Sequence, residues 1–252
     1  MRKSILFLFC LALGLILLQG CAGKKSSPAA NTAPEAASVD GTTDEFIEEE
    51  TKPQPDSMQG FNRRVFTFND GFITYVVSPF DAVYTGLFPQ DFRNGFGNFY
   101  RNLGYPVRLV NSLLQFRLDK VGKETASFVL NTVLGFGGLF NVTRDTPALQ
   151  CTPEDFGQTL AFYGLGHGSY LVLPLLGPSS LRDTVGLVAD SFLNPVTYVT
   201  PDGARYALTA HDKANAASAN LPTYKTIKAE SFDHYTSMKD VYFQYRNSLE
   251  AE

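Results

Sequence analysis

Between Glu124 and Arg144 no side chain carries charge, and between Asp155 and Arg182 only His167 can. A helix on the surface of a soluble domain shows a charge-rich polar face every third or fourth residue, and these runs have none. They are also dense in glycine: Gly135, Gly137 and Gly138 in the first, then Gly157, Gly164, Gly166, Gly168 and Gly177 in the second. The stretch from Glu124 to Arg182 is therefore confined to apolar helices and bends that bury one another or face lipid. The rest of the chain decides between the two.

The N-terminus points to a membrane. Arg2 and Lys3 precede an apolar run from Ile5 to Leu18, which is too short to span a bilayer comfortably, and Leu18-Gln19-Gly20-Cys21 follows. This is the layout of a secretory signal over residues 1–20, not of a transmembrane anchor. The cysteine directly after the small residue resembles a bacterial lipobox, in which Cys21 becomes the acylated N-terminus, although Gln19 is less usual there than a small or aliphatic residue. The alternative is ordinary cleavage near Gly20 with Cys21 incidental. Several acyl chains at ~0.8 kcal/mol per buried methylene give stable anchoring. Ala22 stands where an aspartate serves as the inner-membrane retention signal of enteric lipoproteins, so the outer membrane is expected. With Cys10 in the signal and Cys21 acylated, Cys151 is alone in the mature chain and has no internal disulfide partner.

From 21 to 55 the chain is rich in Ala, Pro, Ser, Thr and Glu and poor in residues that could build a core, which predicts a disordered, acidic linker. Beyond Asp56 there are 16 basic and 17 acidic residues, so the folded body is close to neutral. Nucleic acid, which needs a basic footprint, is excluded as a partner.

The body, 56–250, reads as one helical domain. Asp56 to Gln59 predicts a helix start, with Phe61, Val65, Phe68, Phe72 and Val76 at helical spacing and a break at Ser78-Pro79. Further helices are expected from Pro79, over Asp91–Leu103, over Pro106–Leu114, after Asp119, from a Thr152 cap to about Tyr163, and over Pro178–Phe192. Tyr170–Leu176 is expected to be extended or irregular. The polar, alanine-rich Asp202–Asn220 and the charged, tyrosine-bearing Pro222–Glu250 are expected to face water and to buttress the apolar helices. At Gly135–Gly138 the first uncharged run loses helical regularity, and glycine there lets the chain reverse. A helix, a glycine bend and a return segment Leu139–Val142 would form a hairpin whose backbone must be satisfied internally if it meets lipid.

Catalytic readings do not hold up. The Gly164–Gly168 loop follows a helix and lacks the lysine of a phosphate loop, and Gly166-His167-Gly168-Ser169 is not a nucleophile elbow. His167, His211 and His234 lack metal-ligand spacing, and Cys151 has no histidine near it in sequence. No enzyme, no cofactor and no metal are expected.

Three sets of motifs carry a family likeness. Gln59-Gly60-Phe61-Asn62-Arg63 and Phe66-Thr67-Phe68-Asn69 come first, and Arg93-Asn94-Gly95-Phe96-Gly97-Asn98-Phe99 follows. Then come Phe128-Val129-Leu130-Asn131-Thr132-Val133-Leu134-Gly135-Phe136-Gly137-Gly138-Leu139 and Asp155-Phe156-Gly157-Gln158-Thr159-Leu160. Last are Leu181-Arg182-Asp183 and Tyr242-Phe243-Gln244-Tyr245-Arg246. In this order the body resembles the MlaA/VacJ family of outer-membrane lipoproteins. It departs from many relatives at Thr184-Val185-Gly186 and at His234, where proline is common.

The resemblance implies an all-α, ring-shaped domain with few or no strands, embedded in one leaflet of the outer membrane of a Gram-negative cell and facing the periplasm. It implies a central amphipathic channel that removes mislocalised phospholipid from the outer leaflet and passes it to a soluble periplasmic carrier of the MlaC type, with a trimeric porin as membrane partner. On that basis Gly135, Gly137 and Gly138 are the expected gate or hinge, and Phe68, Asn69, Asn131, Phe136 and Leu139 the expected channel or rim. Two other classes stay open: a porin-associated structural lipoprotein without transport, and a lipid hydrolase acting through Ser169.

Overall fold

A computed structural model of the chain describes residues 56–251. The signal segment, Cys21 and the acidic linker lie outside the described residues. Where apolar periodicity is strongest, helix forms. Helix α1 (Gln59–Phe72) passes through one π-helical stretch, Ile73–Val77, directly into α2 (Ser78–Leu87). The expected break at Ser78-Pro79 is thus a widening. Proline has no N–H, and its ring crowds the carbonyl four residues back. A π-bulge relieves that crowding without ending the helix, and the Ser78 N–H reaches back to the Ile73 carbonyl.

Helices α3 (Gln90–Leu103), α4 (Tyr105–Leu114) and α5 (Leu118–Val133) follow with short connections. After α5 come a glycine turn and a 3-10 turn at Pro147–Leu149, and then α6 (Phe156–Phe162). Strands β1 (Tyr170–Leu173) and β2 (Gly177–Ser180) form an antiparallel hairpin in which Tyr170 faces Ser180 and Leu173 faces Gly177. Helices α7 (Leu181–Leu193), α8 (Asp202–Glu230) and α9 (His234–Glu250) complete the body. Helix α8 runs straight across Pro222, where the sequence divides into two halves.

Three helix starts differ from expectation, two of them because a better acceptor stands closer. Asp56 does not cap α1; its carboxylate instead accepts from Asn62 Nδ2 at 2.9 Å and from the Tyr235 hydroxyl. Asp155, not Thr152, caps α6, and its carboxylate and the Gln158 side chain exchange bonds with each other's backbone N–H at 2.8 Å, a capping box. Ser180, not the Gly177–Ser179 segment, caps α7, because Pro178 and Ser179 are strand residues facing Val172 and Leu171.

The interior is polar. Seven apolar residues are buried against eighteen polar or charged ones among those described, so packing of apolar side chains alone does not hold the helices together. One small aromatic core joins Tyr170 and Val172 of β1 to Tyr235 and Phe243 of α9, with Val65 and Phe66 of α1 against it. Elsewhere asparagines link elements. Asn62 Nδ2 donates to the Tyr170 carbonyl at 2.9 Å while its Oδ1 accepts from the Val172 N–H at 3.0 Å. Asn69 repeats this with Leu173 O and Leu175 N–H. Asn111 of α4 reaches Asp190 of α7 at 2.8 Å and Thr159 of α6 at 2.9 Å. Asn215 of α8 joins Tyr84 of α2 to the Arg93 carbonyl of α3.

Large apolar side chains point outward instead: Phe61 and Phe68 on α1, Val83 and Leu87 on α2, Val133 at the end of α5 with Leu134 just beyond it, and Val185, Val188 and Phe192 on α7. No helix among the described residues is long and apolar enough to cross a membrane.

Candidate functional site

The glycine turn after α5 is built by close backbone approach. Gly137 and Gly138 N–H groups return to the Thr132 and Asn131 carbonyls, both at 2.9 Å, and the Phe140 N–H reaches Gly135 O at 2.9 Å. Phe136, Gly137 and Gly138 all have positive φ, at 55°, 74° and 93°. A Cβ on Gly135 would lie 2.0 Å from the Phe140 carbonyl oxygen, and one on Gly138 would lie 2.5 Å from Asn102 Cβ. Gly137 has open space around it, so only its φ demands glycine. At these two positions glycine serves close contact, and side-chain bonds fasten the turn to its surroundings. Asn98 donates to Leu139 O at 3.3 Å, Asn102 to Thr132 Oγ1 at 2.9 Å, and Asn131 exchanges bonds with Thr143.

The turn has two unlike sides. Phe136 is 78% exposed, with Val133, Leu134 and Phe140 exposed beside it, so the outward side is wholly apolar. The inward side closes a cleft between α3, α4 and α5 that is lined by Asn98, Asn102, Arg108, Glu124, Asn131 and Gly138 among others. Its free volume is ≈ 30 Å³, room for about two waters. Of the residues expected at a channel, Asn131 and Gly138 line this cleft, and Phe136 and Leu139 belong to the turn that walls it. Phe68 and Asn69 are on α1 and do not line it: Phe68 points outward, and the buried Asn69 amide is engaged with the end of β1.

Two of the charges that line the cleft are paired with each other. Arg108 Nε meets Glu124 at 2.8 Å, both nearly buried, and Cys151 Sγ lies 3.6 Å from the same carboxylate. Burial and the Glu124 charge push the Cys151 thiol up to about 11, so it is protonated at neutral pH and is no nucleophile. Next to this pair Glu154, almost fully buried, accepts from Arg117 at 2.9 Å, Lys120 at 2.7 Å and Gln115 at 2.8 Å.

A second polar knot joins α6, α7 and α9. Arg246 reaches Asp155 at 2.6 Å, and Arg182 meets Asp183 at 2.9 Å. Burial works against the Asp183 carboxylate, but hydrogen bonds from Tyr242 and Arg182 and the charge of Arg246 outweigh it and hold its pKa below the usual range. These knots escape a reading of sequence alone, since their members lie up to 91 residues apart. The one visible signal is that Glu124, Asp155 and Arg182 bound the uncharged runs.

The hydrolase candidates are engaged elsewhere. Ser169 Oγ bonds Ser57 Oγ at 2.8 Å, while His167 contacts Asn247 through Nε2 and Arg182 through Nδ1, each at 2.9 Å, so no serine–histidine pair forms. Among the described residues no cluster of His, Cys, Asp or Glu could hold a metal ion.

Comparison with known proteins supplies the context for this arrangement. A family profile described as MlaA lipoprotein matches residues 54–249. The intermembrane phospholipid transport system lipoprotein MlaA of Escherichia coli (strain K12) is 33% identical over 242 residues, 94% of this chain and 86% of that protein. The protein of the same description from Haemophilus influenzae is 28% identical, over 75% of this chain and 76% of its own length. A solved structure described as the structural basis for maintenance of bacterial outer membrane lipid asymmetry superposes with a TM-score of 0.69. It shares 30% identity and covers 78% of this chain and 100% of its own.

Proposed function

Because the chain belongs to the MlaA lipoprotein family, we propose that it is the outer-membrane component of an intermembrane phospholipid transport system. In this reading it removes phospholipid from the outer leaflet, hands it to a soluble periplasmic carrier, and so maintains lipid asymmetry. The observation that carries the reading is the inverted distribution of side chains, apolar outside and polar within. An exterior of Phe, Leu and Val costs free energy in water at roughly 25 cal/mol per Å² and costs little against acyl chains. No helix among the described residues is able to span a bilayer; in this reading the body sits in one leaflet, the inner leaflet of the outer membrane, held there by the acylated Cys21. A trimeric porin provides the protein surface beside it.

Lifting a phospholipid out of a bilayer exposes on the order of 30 methylenes at ~0.8 kcal/mol each, so about 20 kcal/mol has to be offset by an apolar conduit with a polar lining for the headgroup. The glycine turn, apolar on one side and facing polar groups on the other, has the required two-sidedness. A cleft of ≈ 30 Å³ holds no lipid, so the proposed channel opens by moving this turn. Because Gly135 and Gly138 are packed against backbone and side chain, the turn moves as a unit, with Asn98–Leu139 and Asn102–Thr132 as the bonds that release it. Phe136 and Leu139 travel with the gate, Asn131 lines the channel, and Phe68, held in place through Asn69, belongs to the lipid-facing rim. No catalytic step enters this account.

The test is reconstitution. The full-length acylated protein is placed in proteoliposomes with a fluorescent phospholipid, a soluble periplasmic carrier is added, and lipid on the carrier is measured. Transfer is expected to depend on the protein and to fall several-fold with Gly138→Leu. Equal transfer with and without the protein would favour a structural, porin-associated lipoprotein instead.

A further inference from the structure

Among the described residues three that are not glycine sit on a left-handed backbone: Phe116, Phe136 and Leu175, with φ of 59°, 55° and 64°. In an L residue that conformation brings Cβ against the following carbonyl oxygen, so glycine or asparagine is its usual occupant. All three residues are instead large and apolar, and all three are exposed, at 75%, 78% and 59%. Strain under a core side chain is offset by packing inside the protein. These side chains point away from the protein, so whatever offsets their strain lies outside the chain.

Phe116 closes α4 in a Schellman turn, at the position where glycine is commonest: its N–H returns to Leu113 O at 3.0 Å and that of Arg117 to Ser112 O at 2.9 Å. Leu118 is exposed as well, whereas Arg117, between the two, is turned back onto the buried Glu154 carboxylate at 2.9 Å. Leu175 stands with the exposed Leu176 at the tip of the β1–β2 hairpin, in a run without Asp, Glu, Lys or Arg. There Pro174 has no N–H, the Leu175 N–H donates to Asn69 Oδ1 at 2.8 Å, and Leu173 O accepts from Asn69 Nδ2 at 2.9 Å. After Phe136 the Gly137 and Gly138 N–H groups return to α5. Each tip thus shows an apolar side chain while the protein itself takes up these backbone groups, as a chain meeting acyl groups requires.

We propose that Phe116 and Leu175, together with Phe136, are wedges inserted among the acyl chains of the leaflet, where removal of the side chain from water offsets the strain of displaying it. This rests on the reading that the body sits in one leaflet, and it adds three loop tips to the helix faces as points of attachment. A protein partner is the less suitable occupant. Its interfaces carry a polar rim, and here the neighbouring cation is turned inward at one tip and charge is absent from the runs that hold the other two.

The chain contains no tryptophan, so Phe116→Trp and Leu175→Trp each place a single fluorophore at a tip. The full-length acylated variants are reconstituted, without porin, in phosphatidylethanolamine–phosphatidylglycerol vesicles with brominated acyl chains. Both tips are expected to lose about half of their emission or more to the brominated chains and little to aqueous iodide, while Tyr206→Trp on α8 shows the reverse. Leu118→Trp and Leu176→Trp, at neighbours without a left-handed backbone, cover the case in which a tip variant does not fold. Iodide quenching of the tips equal to that of Tyr206→Trp would overturn the proposal. Shielding from iodide that appears only when a trimeric porin is added would overturn it too, by making the tips protein contacts. Leu175→Asn removes the leucine and relieves the backbone, so its Tm in detergent should not fall; a fall of more than about 2 °C would show that the side chain serves the fold and would sink the wedge. Val83→Trp on the face of α2 separates the two levels: lipid quenching there with none at the tips sinks only this inference, whereas none at either place sinks the one-leaflet reading itself.

Discussion

Asn62 and Asn69 stand seven residues apart on α1, and together they complete the hydrogen bonding of β1 on the edge that β2 leaves open. Asn62 is fully buried, so Asn62→Ala strands one carbonyl and one N–H. At ~1–3 kcal/mol each, a loss of about 2–6 kcal/mol is expected, measurable by denaturant unfolding in detergent. The glycines of the turn are predicted to separate by mechanism. Gly135→Ala meets two carbonyl oxygens and should disrupt the turn, whereas Gly137→Ala has space and should lose only the ~1–2 kcal/mol of a left-handed backbone. Similar effects of the two on stability would contradict the packing described.

Asp190 sets a pH dependence. Burial raises its carboxyl to about 6, above the usual carboxylate range, with Asp155 adding to the rise and the Phe156 N–H, Asn111 and Arg246 opposing it. A carboxyl that holds its proton more firmly when folded contributes stability that is complete below the unfolded pKa and is lost as pH rises through the folded one. Asp190→Asn cannot ionise, so its Tm relative to wild type is predicted to improve between pH 4 and 7. A difference that stays flat over that range would show that burial does not control this group.

In the proposed reading the apolar faces of α2 and α7 are surfaces that meet lipid. Val83 and Val188 lie on these faces with more than half their surface exposed and no buried role. Val83→Glu and Val188→Glu are therefore expected to change stability by no more than about 0.5 kcal/mol while lowering the fraction of protein that floats with liposomes. At this scale the sequence was readable where period and composition agree: α3 and α4 begin one residue before the expected Asp91–Leu103 and Pro106–Leu114 and end where expected, and α5 begins close to the expected start after Asp119. It was less readable where one strong local signal hid another. Pro79 looked like an end because proline usually stops a helix, yet a π-bulge absorbs it. Thr152-Pro153 looked like a start, yet Asp155 with Gln158 makes the better cap. The β-hairpin was half visible, since Tyr170–Leu173 is extended as its apolar run suggests, but nothing local says that Gly177–Ser180 pairs with it. Gly157 in the second uncharged run has a reason that sequence does not disclose: a Cβ on Gly186, just beyond that run, would lie 2.5 Å from Gly157 N, so the pair lets α6 and α7 touch.

Taken whole, the body buries asparagine, glutamate and arginine and displays phenylalanine, leucine and valine. That arrangement is unfavourable in water, where a large exposed apolar surface marks an interaction site. It is consistent with lipid, where buried polar groups must find partners inside the protein. The asparagine links and the two ion-pair knots supply those partners. The two uncharged runs between Glu124 and Arg182 thus supply outward apolar surface and close helix contacts, while Glu124, Asp155 and Arg182 at their ends help to hold the interior together. The family motifs supply only part of the cleft, Asn98 from one and Phe128, Asn131 and Gly138 from another, because its lining comes from three helices and a loop; of these only Asn131 and Gly138 were expected at the channel or its gate. The central claim is that this body removes phospholipid from the outer leaflet, and it is tested most directly by deleting the chain from its own cell and labelling surface-exposed phospholipid with a membrane-impermeant reagent. The account predicts a rise in outer-leaflet phospholipid that wild-type protein reverses and Gly138→Leu does not; an unchanged level on deletion would contradict it.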